Sequence, residues 1–458
     1  MLFRIVGCVL CASCATDSFA QTPPAVSLEQ AVTQAIEHYP SVRVSREQVE
    51  AAAAGVQLAR AAYLPRFDLV AGVNRATRNN TFGLLLPSQV IAPISGPMLG
   101  TNNLTNVWGS TAGFVSSWEP FDFGLREANI ATAQATKARA QAGVARTQFE
   151  LETVTADTFL TLLAAQEEVR AGQSGVERTD VLVKIVDALV RAELRPGAEL
   201  CRARAEQAAA RTQLIRAEQA VGESRAVLAQ LLGIEPNQVG VLPGNLLRLP
   251  AVVETTPEKL ASNPIAQEQN AAIDEAKARL KALQRSYYPR FNLQGAAYAR
   301  GSGALPNGAT LGGLNGLGPT VQNWAIGFTA TFPLFDLAAL RAREAAQSAN
   351  VRTETSRYAL VLAELSGREN SAKAMLEGAR RIAENTPIQA DAARTTLQQA
   401  TARYQAGLGT VVEVADAQRL LTQAEIDDAL ARLGVWRAKL TLGAAQGDLQ
   451  PILQEAGR

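Results

Sequence analysis

The chain has a single histidine, His38, in 458 residues, which argues against a His-ligated metal centre and against a Ser-His-Asp hydrolase, since both need imidazole beside other named partners. An excess of one charge is also missing: 44 Lys and Arg stand against 43 Asp and Glu, so there is no electrostatic reason to expect a nucleic-acid partner. Only 5% of the residues are aromatic although 47% are hydrophobic. The apolar content therefore sits in small side chains, alanine above all, a balance that excludes wholesale disorder and suits long packed helices. Cysteine is nearly absent: Cys8, Cys11 and Cys14 crowd the first residues, leaving Cys201 without a disulfide partner further on.

The N-terminus carries its own signals. Arg4, the apolar run Ile5 to Ala15, and Ser18-Phe19-Ala20 before Gln21 read as a secretory signal over residues 1–20. The run is too short for a membrane-spanning helix. An acylated Cys14 is the competing reading, although Cys11 replaces the usual leucine three residues before it.

An internal repeat organises the rest. Pro40 to Phe67 and Pro264 to Phe291 align without a gap at an offset of 224 residues, matching Pro65 with Pro289 and Tyr63 with Tyr287. The chain divides into a first repeat at 21–247, a linker at 248–255, a second repeat at 256–447 and a tail at 448–458. Each repeat holds a window without charge, between Arg78 and Glu119 and between Arg300 and Asp336. The edges of these windows alternate with period two: Phe67, Leu69, Ala71 and Val73 share one face, as do Phe291, Leu293, Gly295 and Ala297. On a returning segment Trp324, Ile326, Phe328, Ala330 and Phe332 oppose Ala325, Gly327, Thr329 and Thr331. Strand pairs are expected at about 65–76 with 107–121 and about 290–300 with 322–335. Apolar side chains on one face and small or polar ones on the other suit an outer-membrane strand, with lipid outside and a lumen inside. Two hairpins half buried on a soluble domain are the plain alternative.

The remainder reads as helix. No proline interrupts Leu125 to about Glu193, a span on the order of 100 Å at 1.5 Å per residue. Its counterpart, about Ala338 to Ala406, holds Pro387, which should kink or loosen it. In the last long helix Ala417, Ala424, Ala431, Ala438 and Ala445 form one heptad column; Val414, Leu421, Val435 and Leu442 form another, with Asp428 the exception.

These features together resemble the TolC-like outer membrane efflux proteins. The resemblance covers nearly all of the chain beyond the signal. It rests on Ala62-Tyr63-Leu64-Pro65-Arg66-Phe67 and its copy Ser286 to Phe291, on Pro120-Phe121-Asp122-Phe123-Gly124 and Pro333-Leu334-Phe335-Asp336, and on the stretch from Tyr404 to Gln418. It implies a mixed α and β membrane protein: four β-strands per chain contribute to a trimeric outer-membrane β-barrel, continued by long antiparallel coiled-coil helices that form an α-barrel across the periplasm. The implied function is the outer-membrane channel of a tripartite export system, a passive duct for efflux of small molecules, with no cofactor, no catalysis and no nucleic acid. The implied partners are outer-membrane lipid, two further copies in a homotrimer, a periplasmic adaptor and an inner-membrane pump of RND or ABC type. A duct for type I polypeptide secretion and a soluble periplasmic coiled-coil adaptor are the alternatives.

The residues support oligomerisation independently. Four strands cannot enclose a channel, and an open strand edge in lipid would leave backbone groups unsatisfied. Two glycine-bearing turns are expected at the adaptor-docking tips, Arg195-Pro196-Gly197-Ala198 and Ala406-Gly407-Leu408-Gly409 with Thr410 following. Glu413 and Asp416, three apart, share a helix face; helix-start acids facing water are the plain reading. The resemblance implies instead a ring of carboxylates at the periplasmic aperture that attracts cations, with Tyr404 helping to lock it. The family's basic partner falls at Gly409 here. His38 reads as a surface or capping residue, Cys201 as a small packing residue, and Gly301 to Gly318 as an extracellular loop.

Overall fold

The structure is a computed structural model and describes residues 25–77, 105–251, 260–305 and 309–457. The signal region with Cys14, and the two N-x-Thr asparagines Asn79 and Asn103, lie outside the described residues. Two compact units divide the chain: residues 40–148 with 258–367, and residues 1–39 with 149–257 and 368–458.

The first of these units holds a sheet of four strands, β2 (Arg66–Thr77), β3 (Asn106–Phe121), β5 (Arg290–Ser302) and β6 (Val321–Thr331), all antiparallel in the order β2-β3-β5-β6. Each hairpin follows a helix of 22 residues, α2 (Pro40–Ala61) before β2 and α5 (Pro264–Arg285) before β5, so the 224-residue offset of the sequence repeat recurs in both helix and strand starts. Pro264 opens α5 at the position where a missing N–H costs nothing, capped by the Asn263 side chain on the N–H of Ile265. One face of the sheet is apolar and open: Phe67, Leu69, Val73, Trp324 and Ile326 are each more than 60% exposed. Neither β2 nor β6 pairs on its outer side among the described residues. β6 stops at Thr331, short of the expected 335, because Pro333 has no N–H for a ladder and the chain turns there, with Asp336 N–H donating to the Pro333 carbonyl. Where β3 leaves, Asp122 accepts from the N–H of Arg126 at 2.7 Å and from its guanidinium at 2.8 Å, the pair buried together.

From each hairpin leads a long helix, α3 (Leu125–Arg191) and α6 (Leu337–Gln405), and the division between units falls inside both. The second unit contains their later parts and the return helices α4 (Gly197–Leu232) and α7 (Val411–Gln446), 36 residues each. It also holds α1 (Leu28–His38), α8 (Gln450–Gly457) and a parallel two-stranded ladder, β1 (Ala25–Val26) with β4 (Gly240–Val241). His38 Nδ1 lies 3.0 Å from the Gln34 carbonyl in the last turn of α1, as a capping residue does. All five alanines of the α7 column are buried, and so are Val414, Leu421, Val435 and Leu442. Ala431, Val435, Ala438 and Leu442 pack on Ala372, Leu376 and Ala383 of α6, and Leu421 and Ala424 on its Ala390 and Ala393, spaced by alternating fours and threes or their sum, the knobs-into-holes pattern of a coiled coil.

Two exceptions in this seam fall at one level. Asp428, in the place of an apolar residue, accepts from Thr386 Oγ1 at 3.1 Å and pairs with Arg432, so its carboxylate is satisfied. Pro387 follows Thr386 but lies on the exposed side, and α6 runs through it without a break. The helix continues through it because the proline costs one backbone bond on the exposed side while the apolar seam opposite holds the helix. No helix among the described residues is long and apolar enough to cross a membrane.

Candidate functional site

At the α3–α4 and α6–α7 turns the chain reverses in the same way. In one, Glu193 N–H donates to the Val190 carbonyl and Leu194 N–H to that of Leu189, both at 3.0 Å. In the other, Gly407 N–H reaches Tyr404 at 3.1 Å and Leu408 N–H reaches Arg403 at 2.9 Å. This closing pattern needs a left-handed residue after the helix, supplied by Gly407 with φ of 78° and by Glu193 with φ of 56°. Only the first is conformationally cheap. Leu194 and Leu408 then stand out at 70% and 74% exposure. Thr410 caps α7, its hydroxyl accepting from the N–H of Glu413 at 3.3 Å.

Beneath the turns, Leu182 and Val186 of α3, Ala203 of α4, Tyr404 of α6, and Val411 and Val414 of α7 form one apolar cluster. Tyr404 is 2% exposed, yet its hydroxyl is not orphaned: it donates to Glu199 Oε2 at 2.9 Å. Burial, then the bond to Glu199 and its charge, push the phenol up to about 12. The Arg195 guanidinium lies over the Tyr404 ring, 4.9 Å from its centroid, and donates to the carbonyls of Tyr404 at 3.4 Å and Gly409 at 3.5 Å. It also pairs with Glu199 at 3.7 Å.

The Arg195 side chain is only 20% exposed and turned inward onto Tyr404. It brings a guanidinium to the place where Gly409 left none. A side chain at Gly409 would be crowded, since a Cβ there would lie 3.2 Å from the Tyr404 nitrogen and 3.3 Å from Glu413 Oε2. Pro196 precedes α4 without a side-chain cap, and a Cβ at Gly197 would meet nothing within 4 Å, so both remain open surface.

Glu413 and Asp416 are half-exposed, at 47% and 54%, but not bare. Arg403 approaches Glu413 at 4.0 Å, and Arg419 pairs with Asp416 while reaching Glu206 of α4 at 3.7 Å. Each carboxylate thus has a cation of its own chain beside it, which offsets much of the negative potential expected of a ring. Further along α7, Arg178 of α3 holds Thr422 at 2.8 Å and Glu425 at 2.9 Å, and Gln418 donates to the Arg178 carbonyl at 3.1 Å. Glu199, Arg403, Arg419 and Arg178 escaped the sequence reading. The spacing of Arg195 with Glu199 and of Asp416 with Arg419 was visible as helix pairs, whereas the join of Tyr404 to Glu199 spans 205 residues and has no local signal.

Comparison with known proteins agrees with this architecture. Residues 31–234 and 256–448 match the family model described as outer membrane efflux protein. The pyoverdine export outer membrane protein OpmQ of Pseudomonas putida is 27% identical over 296 residues, 64% of this chain and 60% of that relative, so the match spans less than two thirds of the relative's length. The cobalt-zinc-cadmium resistance protein CzcC of Cupriavidus metallidurans is 26% identical over 66% of this chain and 69% of its own. Among solved structures, the outer-membrane channel OprN superposes with a TM-score of 0.73 at 21% identity, covering 92% of this chain and 89% of that one. The Campylobacter jejuni CmeC outer membrane channel gives 0.72 at 16% identity, covering 94% and 89%.

Proposed function

We propose, for a chain that belongs to the outer membrane efflux protein family and is accordingly an outer-membrane channel and not an enzyme, that three copies close one barrel and work as the passive exit duct of a tripartite pump for small molecules. The observation that carries this reading is the sheet: one face apolar and exposed, and two edges, β2 and β6, without partners. Backbone groups along those edges cannot stay unpaired in lipid, and β6 of one copy beside β2 of the next would satisfy them without any new element.

The first and second repeats, 21–247 and 256–447, each give one hairpin to that barrel and one reversing helix pair to the periplasmic end. At that end Tyr404, Glu199 and Arg195 form a clasp that joins α6 to α4, and Glu413 and Asp416 border the aperture it holds shut. The exposed Leu194 and Leu408, with Pro196, Gly197, Gly407 and Thr410 around them, form the surface for a periplasmic adaptor, which connects the duct to an inner-membrane pump. The names of the relatives speak of pyoverdine export and of cobalt-zinc-cadmium resistance, and a duct of this kind suits an organic molecule or a metal ion. Fractionation tests the reading: the protein should travel with outer membrane and run on gels as a detergent-stable trimer. Recovery as a soluble monomer would end it.

A further inference from the structure

The two faces of the sheet differ in charge as well as in polarity. Side chains alternate along a strand, so residues in register across the sheet share a face. On the face opposite Phe114, Ala297 and Trp324, Arg300 lies between Thr111 and Val321, with Gly72 one strand further on. None of these neighbours can accept a guanidinium's charge, and the Arg300 guanidinium makes no hydrogen bond or ion pair among the described residues, although the Arg300 carbonyl accepts from the Thr320 N–H at 3.0 Å. The loops beyond cannot supply a carboxylate either, because no charged residue occurs from Asn79 to Trp118 or from Gly301 to Phe335.

The other charges of this face gather at the far end of the strands. There Arg66, Asp68, Glu119 and Arg290 balance in sign, and Arg66 holds Asp68 at 2.9 Å. From Thr111, beside Arg300, to Glu119 is eight residues, roughly 25 Å at 3.3 Å each, beyond two Debye lengths in physiological salt. Arg75, the remaining strand arginine, belongs to the apolar face, where its Nε donates to Asn106 at 2.8 Å and its guanidinium lies 5.1 Å from the Trp108 ring centroid.

We infer that Arg300 is a specificity determinant of the duct: its three copies set an uncompensated ring of positive charge on the inward face of the barrel, and the cargo that passes is anionic, a small molecule bearing carboxylate, phosphate or sulfonate groups, in preference to a metal cation. The inference rests on the trimeric duct reading. The aperture acids do not oppose it, since Arg403 and Arg419 stand beside them.

Reversal potentials of the purified trimer in a planar bilayer under a KCl gradient test this. The parent should favour chloride over potassium. R300Q should lower that ratio on the order of threefold, R300K should keep it, and R75Q, on the other face, should leave it unchanged. Charge can also be changed after assembly: in the double variant R300C/C201S, a cationic methanethiosulfonate should raise chloride preference and an anionic one lower it. A parent ratio in R300Q, or equal ratios after the two reagents, overturns the inference while leaving a working channel. Absence of any channel in the parent defeats the duct reading itself.

Discussion

The sheet and the helix turns treat charge and apolar surface in opposite ways. At the turns, charged side chains are plentiful and are answered within the chain: Arg195 by Glu199, Arg403 by Glu413, Arg419 by Asp416 and Glu206. Beneath the two exposed leucines of the turns, the apolar residues are folded inward, Tyr404, Val411 and Val414 each 3% exposed or less. In the sheet the proportions reverse. Charge is sparse and gathers mostly at one end of the strands, the Arg300 guanidinium has no counter-charge beside it, and Trp324 at 78% and Ile326 at 73% exposure lie open. One region answers its charges within the chain. Under the trimeric duct reading the other meets lipid on one face and further copies at its edges, because neither exposed aromatics nor open strand edges are stable otherwise.

If that contrast is right, a charge introduced on the two faces of one strand should have unequal consequences, and this is the largest effect expected. Ile326→Arg should cost about 2–4 kcal/mol where the side chain meets lipid, whereas Thr329→Arg on the other face should cost little. The melting of the trimer on heated gels checks both; equal losses would remove the lipid face.

A smaller effect is expected at the clasp. Tyr404→Phe keeps the buried ring but strips the partner from Glu199, costing about 1–2 kcal/mol and raising resting conductance. The clasp should also respond to alkali. The folded phenol titrates at about 12, above its ordinary value of 10.0, so its contribution is fully present below pH 10 and is lost as pH rises toward 12. Denaturant unfolding at pH 9 and 11.5 should show an extra loss in the parent that Tyr404→Phe lacks; identical losses would mean the phenol is not clasped.

The smallest effect concerns the two turns themselves. Glu193→Gly relieves a left-handed non-glycine residue and should stabilise by up to about 1 kcal/mol, seen as a higher unfolding midpoint, while Gly407→Ala should destabilise by a similar amount. A neutral result at both would show that turn geometry does not limit stability there.

The strands were legible because period-two alternation needs only neighbouring residues: Phe291 to Ala297 and Trp324 to Ala330 declare their faces in the sequence. The helical seam was legible for the same kind of reason, as a heptad column of alanines that turned out to be buried throughout. Which side of the helix Pro387 occupies was not legible, because it is set by Thr386 facing Asp428 across the seam, which puts the proline on the exposed side. Glu413 and Asp416 were legible as a same-face pair from their spacing, but the arginines beside them were not singled out, since Arg403 meets Glu413 only once the chain has reversed.

By itself, then, the sequence determined the duplicated plan, the strands, the long helices and the avoidance of charge in two windows, all of which follow from local periodicity and composition. Only the tertiary structure decided that Arg195 turns inward to Tyr404, that Glu199 receives the phenol, and that Arg300 has no counter-charge. Those outcomes depend on side chains brought together from distant parts of the chain, and pairing across such distances leaves no trace in the order of residues along either partner.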